Sequence, residues 1–360
     1  MTAWRQSILS LLRGKPGQVN LCAYWIGSRR VEWAAAAWLW RKITVDRKVR
    51  TQMKAAFIEQ FGGPDVLKYG DLPDPVAGAG EVVVDVVAAS INAADWKFRA
   101  GQYARHSRVK FPQIPGRDFS GVVGATGSGA DLAVGDAVFG VLDAGREGTY
   151  CEKLAVKAAI IAKKPEGLSH VNAAALALTG LTAVNSLEDT LKLKRGETIL
   201  IQGGAGGVAG FAIQFAKHLG ARVITTTSAA NADYVRSLGA DQVIDYNSQD
   251  FTKLVSNCDA VFDTVGGDVA EKSFAVLKPG GRAAFIASGM EAPKPNRPDV
   301  TALRPPVPRS RAAMEQVGQL IASGAVRPPE IKLYRLDQAA EAHRLSESRH
   351  FRGKLVFQVR

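Results

Sequence analysis

Cysteine is scarce. Cys22, Cys151 and Cys258 are the only three in 360 residues, and no C-x-x-C pair occurs. That excludes a disulfide scaffold and a cysteine-only zinc lobe, and it favours a reducing compartment. The five histidines (His106, His170, His218, His343, His350) are scattered without a ligand-like spacing. A catalytic zinc takes three protein ligands of the Cys, His or Asp/Glu type, and no such set stands out. No apolar run approaches the ~20 residues of a membrane span; residues 34–40 come nearest and arginines flank them. Acid is missing in one region. Residues 1–52 hold ten basic residues against Glu32 and Asp46, a net +8 of the total +12. The body keeps only +4, which argues against a nucleic-acid partner. The same segment holds Trp4, Trp25, Trp33, Trp38 and Trp40, five of the six tryptophans. It reads as an extension upstream of a start at Met53-Lys54-Ala55, or as a targeting or membrane-surface arm, loosely packed in either case. The body is expected in the cytoplasm.

Hydrophobic content of 46% and charged content of 22% indicate a globular chain long enough for two cored domains. From Met53 onward, short strands at 54–58, 81–88, 121–125 and 137–141 are separated by glycine and proline, the texture of a β-barrel. Val82, Val84 and Val86 are expected on one face of the second strand. A helix opens with Ser169 as its N-cap. Strands at 198–202, 222–227, 242–246, 260–264 and 282–287 then alternate with helices, including 232–238 and 269–277. This is an α/β pattern with a doubly wound parallel sheet. Residues 291–311 are rich in proline and arginine and read as a returning loop. Helices at 312–323 and 337–346 and a strand at 354–359 complete the chain.

The most informative stretch is Gln202-Gly203-Gly204-Ala205-Gly206-Gly207-Val208-Ala209-Gly210. A buried-strand pattern precedes it and a helix pattern ending at Gly220 follows it. Gly204, Gly206 and Ala209 fit G-x-G-x-x-G/A, in which backbone N–H groups and a helix N-terminus meet a pyrophosphate. About 20 residues further, dinucleotide sites selective for NAD place an acid on the ribose. Here that place reads Thr225-Thr226-Thr227-Ser228. Hydroxyls accept a 2′-phosphate that a carboxylate repels, so NADPH is expected.

Several further stretches carry a resemblance. They include Ser90-Ile91-Asn92-Ala93-Ala94-Asp95-Trp96-Lys97, Pro115-Gly116-Arg117-Asp118-Phe119-Ser120-Gly121, Gly135-Asp136-Ala137-Val138-Phe139-Gly140, Leu238-Gly239-Ala240-Asp241 and Arg352-Gly353-Lys354. With the glycine turn, they resemble the zinc-free quinone oxidoreductase (zeta-crystallin-like) branch of the medium-chain dehydrogenase/reductase superfamily. The resemblance implies a chaperonin-10-like β-barrel catalytic domain of residues 53–175 and 306–360, and a Rossmann domain of residues 176–305. It also implies NADPH-dependent hydride transfer to a quinone or α,β-unsaturated carbonyl, and a homodimer. Zinc relatives carry ligands where this chain has Asn92-Ala93-Ala94-Asp95 and Gly116-Arg117-Asp118, so no metal is expected.

The cofactor candidates are the turn residues Gly204, Ala205, Gly206, Gly207 and Val208, with Lys354. The resemblance adds Ser228 and Tyr246 beside the adenosine phosphate and ribose, and Lys97 and Thr182 near the nicotinamide, Thr182 at a helix start. Ala287 and Ser288 join them at a strand end. Ser228 reads equally as a helix cap and Tyr246 as strand-end packing. Asn92, Asp95 and Tyr103 are the catalytic candidates for meeting charge on the acceptor oxygen, although Asn92 and Asp95 also suit turns. Arg117 and Asp118 read as a structural ion pair, and Cys151 and Cys258 as core thiols. Gly207→Asp is expected to abolish cofactor binding. The alternative to an enzyme is a cofactor-binding interaction protein, including one that binds nucleic acid.

Overall fold

The computed structural model describes residues 52–103, 109–143, 145–289 and 291–360. The expectation of loose packing for residues 1–51 lies outside the described residues, and Gln52 already opens the first strand.

Strands β1 (Gln52–Ile58) and β2 (Leu67–Pro73) form an antiparallel pair. Strand β3 (Glu81–Ile91) is the spine of the barrel. Its valines alternate as expected, with Val82, Val84 and Val86 fully buried. Helix α1 (Ala93–Arg99) follows, then β4 (Asp118–Thr126), β5 (Ala137–Val141), β6 (Lys153–Lys157) and β7 (Ile161–Lys163). β3 pairs with both β4 and β6, and its register against β4 shifts at Val83/Val84 and Val86/Ala88. Such irregularities bend a strand and let a sheet curl towards closure.

Helix α2 (His170–Val184) begins where Ser169 Oγ accepts the Asn172 N–H at 3.2 Å, the expected cap. Ala173, Ala174, Ala175, Leu176 and Ala177 are buried. One core joins α2 to Phe139 and Val141 of the barrel, to Ile199 of the second sheet and to Phe211 of the helix that follows that strand. The division at residue 175/176 thus falls inside a helix that packs against both lobes.

The second sheet is built from β8 (Thr198–Gln202), α3 (Gly207–His218), β9 (Arg222–Thr227), α4 (Ala232–Ser237), β10 (Gln242–Asp245), α5 (Phe251–Leu254), β11 (Cys258–Asp263), α6 (Asp268–Lys272), β12 (Leu277–Phe285) and β13 (Thr301–Leu303). All its pairings are parallel, in the order β10-β9-β8-β11-β12-β13. β8 and β9 match the expected limits. The helix expected over 269–277 is shorter, because α6 gives way to a 3-10 turn at Ser273–Val276, where Ser273 Oγ donates to Val269 O. The reading of residues 291–311 as loop is corrected: Thr301–Leu303 pairs with Arg282–Ala284 and covers the β12 edge. Helix α7 (Arg311–Ala322), β14 (Ile331–Tyr334), helix α8 (Ala339–Ser348) and β15 (Lys354–Gln358) return the chain to the barrel, where β15 lies between β14 and β3.

Candidate active site

Strand order reverses at β8: β9 and β10 lie to one side, β11 to β13 to the other. Doubly wound sheets take ligands in the crevice that opens at the carboxyl ends of strands at such a reversal. The glycine turn sits there, between β8 and α3. Gly203 has φ +76°, and a Cβ on it would lie 2.9 Å from Val265 Cγ2. A Cβ on Gly204 would lie 2.3 Å from Thr225 Oγ1. Gly206 differs. It is the N-cap of α3, with ordinary extended backbone and no side-chain cap, and a Cβ on it meets only Gly203 O at 3.4 Å. Uncapped N–H groups at a helix start, with open space before them, make a cradle for a phosphate anion. The turn therefore fits a dinucleotide.

Gly207 faces elsewhere. A Cβ there would lie 2.6 Å from Lys354 Cδ and 3.2 Å from Thr179 Cγ2. The expected reading of Gly207→Asp is corrected, since the new side chain would strike Lys354 of the barrel. Gly353 N donates to Ala205 O at 3.0 Å, so β15 is docked onto the turn itself.

The expectation for the β9 hydroxyls also needs correction. Thr225 Oγ1 donates to Ile201 O at 2.6 Å, and Thr226 Oγ1 donates to Gln202 Oε1 at 2.6 Å and accepts from Gly203 N. Both are buried and tie β9 to β8, so neither hydroxyl is free for a phosphate; Thr227 ends the strand, also buried, and Ser228 lies just beyond it. Ser228 precedes a 3-10 turn without capping it through its side chain, and its Oγ accepts from Asn231 Nδ2 at 3.1 Å. Tyr246, just past β10, has its side chain exposed rather than packed. Ala287 and Ser288 lie just beyond β12, and the Ser288 Oγ is buried without a hydrogen-bond partner among the described residues. Thr182 is buried in the last turn of α2 rather than near its start, because that helix opens at Ser169. Val208 lies in the first turn of α3, partly buried. Asp263, the last residue of β11, accepts from Val265 N and Gly266 N and shapes the loop that follows.

The barrel contributes a buried polar network. Lys354 Nζ donates to Asn92 Oδ1 at 2.8 Å and to Ile91 O at 2.9 Å. Burial lowers its pKa, opposed by Asp118 and Asp95. Asn92 Nδ2 donates to Asp118 Oδ1, and Ser90 Oγ and Leu178 N also donate to that carboxylate. Asn92 and Asp95 open α1: the Asn92 N–H donates to Asp95 Oδ2 at 2.8 Å. Asp95 is fully buried, so it meets no ligand directly. Its Oδ2 also accepts from Tyr150 Oη at 2.7 Å, and His343 Nε2 lies 3.4 Å from that hydroxyl. Burial pushes Asp95 up to about 6, although Arg117 pulls the other way. Arg117 does not pair with Asp118, which corrects that expectation: neighbouring residues at a strand start point apart. Arg117 Nε instead donates to Glu147 Oε1 at 2.7 Å and lies 3.9 Å from Asp95 Oδ1. Tyr103 covers this pair, its ring centroid 5.6 Å from the Arg117 guanidinium carbon. Lys97 is half-buried over the Trp96 ring, and burial with nearby Arg349 and Arg304 lowers its pKa.

Two family models match the chain: "Alcohol dehydrogenase GroES-like domain" over residues 78–166 and "Zinc-binding dehydrogenase" over residues 238–357. The chain is 32% identical to the chloroplastic NADPH-dependent alkenal/one oxidoreductase of Arabidopsis thaliana, covering 87% of this chain and 81% of that protein. It is 30% identical to a mitochondrial NAD(P)H oxidoreductase of Danio rerio, covering 89% and 95%. Among solved structures it matches the quinone oxidoreductase of Coxiella burnetii with TM-score 0.81 and 36% identity, covering 86% of this chain and 100% of that one. The chain belongs to the medium-chain dehydrogenase/reductase superfamily, in its quinone oxidoreductase branch. The Escherichia coli quinone oxidoreductase, solved with NADPH, aligns with TM-score 0.78 and 27% identity over 85% of this chain and 100% of that one.

Within this medium-chain reductase, sequence reasoning passed over Glu147, Tyr150, His343 and Arg304. Arg304 donates to Phe285 O at 3.1 Å and Gly289 O at 3.0 Å, at the carboxyl end of β12. Tyr150 and His343 lie 193 positions apart, and no local pattern announces such a pair. Glu147 sits in a glycine-flanked stretch that reads as surface loop, yet its side chain is only 2% exposed. Cys151 and Cys258 are core thiols as expected.

Proposed function

We propose that the chain is an NADPH-dependent reductase of quinones or α,β-unsaturated carbonyl compounds that works without zinc. The observation that carries this reading is the docking of the barrel's Lys354–Asn92 pair against the amide turn at Gly207. The turn would hold a dinucleotide, with Lys354 and Asn92 of the barrel standing beside it. When bound, NADPH supplies a hydride from the nicotinamide C4. The protein's own task is to hold the acceptor beside it, exclude water and meet charge on the acceptor oxygen. The α3 amides bind the diphosphate, and the acid-free β9 end with Ser228 suits a 2′-phosphate. Lys354, Asn92 and Asp118 brace the barrel wall. The plant alkenal/one reductase and the NADPH-bound bacterial quinone oxidoreductase support this assignment.

The residues at the expected metal position do not fit zinc. Asn92 Oδ1 is engaged by an ammonium, Asp118 accepts from three donors, and position 117 carries a cation. Among the described residues, no three His, Cys, Asp or Glu side chains gather to hold a metal ion. We read the barrel as residues 53–175 and 306–360 around a 176–305 Rossmann lobe, in a cytoplasmic homodimer. No helix among the described residues is long and apolar enough to cross a membrane.

The test is NADPH oxidation by the purified chain over quinones, enones and aldehydes, beside direct NADPH binding. Turnover with quinones or enones is expected. Binding without turnover on any of the three classes would move the chain to the interaction-protein reading.

A further inference from the structure

We infer that Arg117 is the electrophilic residue of the cleft: its Nη groups receive the oxygen on which charge develops as the acceptor is reduced, and Glu147 is the positioning residue that aims them. This rests on the reductase reading above.

Three observations support it. First, the guanidinium is tethered at one edge only. Its Nε donates to Glu147 Oε1 at 2.7 Å, and among the described residues its Nη groups have no hydrogen-bond acceptor. The Arg117 side chain is 21% exposed and that of Glu147 2%, so the tether is buried while the arginine reaches solvent. Second, contacts lead from the group toward both lobes. On one side a run of contacts leads from Arg117 to Asp95, Asn92, Lys354 and so to Gly207 of the turn. On the other, Tyr103 lies over Arg117 and within the electrostatic reach of Arg304, which is fastened to the end of β12. Third, Lys354 and Asp95 of the same network are already engaged or enclosed. Lys354 is 4% exposed with two protein acceptors, and Asp95 is sealed. Arg117 combines charge, unengaged donors and access. A fixed guanidinium in a partly desolvated site stabilises a developing oxyanion without reorganising.

The chemistry balances as follows. Hydride adds to the enone β-carbon with its electron pair, the C=C pair shifts toward the carbonyl carbon, and the carbonyl oxygen becomes an enolate oxygen held by the Arg117 N–H groups. Solvent then protonates the α-carbon, the C=O bond re-forms, and NADP⁺ is the oxidised product. With a quinone, one hydride and one solvent proton give the hydroquinone.

The experiment compares wild type, Arg117→Gln, Arg117→Lys and Glu147→Leu, the last removing the acceptor of the Nε bond. It measures kcat and KM for an enone series of graded carbonyl electrophilicity, NADPH affinity by fluorescence, and the isotope effect with NADPH deuterated at C4. Arg117→Gln should lower kcat by about 10²–10³-fold. NADPH affinity should stay unchanged, the isotope effect should rise and the loss should be greatest for the least electrophilic enones. Arg117→Lys should recover part of the rate. If Arg117→Gln does not fold, Glu147→Leu decides: a lower kcat and a larger isotope effect at unchanged NADPH affinity support the assignment. A folded Arg117→Gln with kcat within about threefold of wild type, or with its loss confined to NADPH binding, overturns it. So does an unaltered kcat and isotope effect in Glu147→Leu. If wild type reduces no quinone or enone at all, the reductase reading itself fails and takes this inference with it.

Discussion

Replacing Gly206 by aspartate separates cofactor binding from folding. The backbone at Gly206 has φ −75° and ψ 158°, extended geometry that an aspartate adopts without strain. An added Cβ meets only Gly203 O at 3.4 Å, ordinary contact. Aspartate is also a favourable N-cap, and its charge suits a helix start. Stability should therefore hold or rise slightly. A diphosphate on the α3 amides would instead face a carboxylate at contact range. Two unit charges ~4 Å apart interact by about 1 kcal/mol in water and about 4 kcal/mol at an effective dielectric of about 20. With tenfold per 1.4 kcal/mol, NADPH affinity should fall by roughly 5-fold to 10³-fold. Fluorescence titration with NADPH gives the affinity and a thermal melt gives stability. An unchanged Kd in a variant that melts like wild type would refute the placement of the diphosphate. Gly207→Asp is less discriminating, since it displaces Lys354 and so perturbs fold and site together.

Lys354→Met removes the ammonium beside Asn92 and Asp118 and should destabilise the chain by about 3–5 kcal/mol in urea unfolding. Adding Asp118→Asn should return part of that loss; a single-variant loss within experimental error would contradict the network described. Burial lifts Glu147 to about 8 and Asp95 to about 6, with Arg117 opposing both. Both lie above ordinary carboxylate values, so the folded chain holds more protons than the unfolded one across that interval. Their contribution to stability is full below the unfolded carboxylate pKa and is lost as pH rises through about 6 and then about 8. Glu147→Gln should melt progressively higher relative to wild type as pH is raised through this window, and a constant difference would count against a buried, proton-holding Glu147. Cys151 and Cys258 are buried, and desolvation pushes their thiols up to about 12 and about 11. In a Cys22→Ala background neither should react with a thiol reagent until the chain unfolds; fast labelling of the native protein would show that the core is open there.

Much of the chain was legible because local rules decided it. β8 and β9 are uniformly apolar or β-branched runs closed by turn residues, so their limits agree with expectation to the residue. The Ser169 cap, the β3 alternation and the glycine turn are all patterns that act within a few positions. β2, β6, β7 and β14 were not legible, because such short segments become strands only when a partner edge is there to hydrogen-bond them. β13 escaped notice inside a proline-rich loop for the same reason.

By itself the sequence determined the two-lobed plan, the superfamily and the place of the glycine turn, since spacing and glycine content express backbone constraints directly. Only the tertiary structure decided where side chains point and what already engages them. It turned Gly207 toward Lys354, engaged the hydroxyls of Thr225 and Thr226, sealed Asp95 inside and tethered Arg117 to Glu147. Those outcomes depend on segments far apart in the chain meeting as the barrel closes on the sheet, and no local pattern encodes the direction from which a distant neighbour arrives.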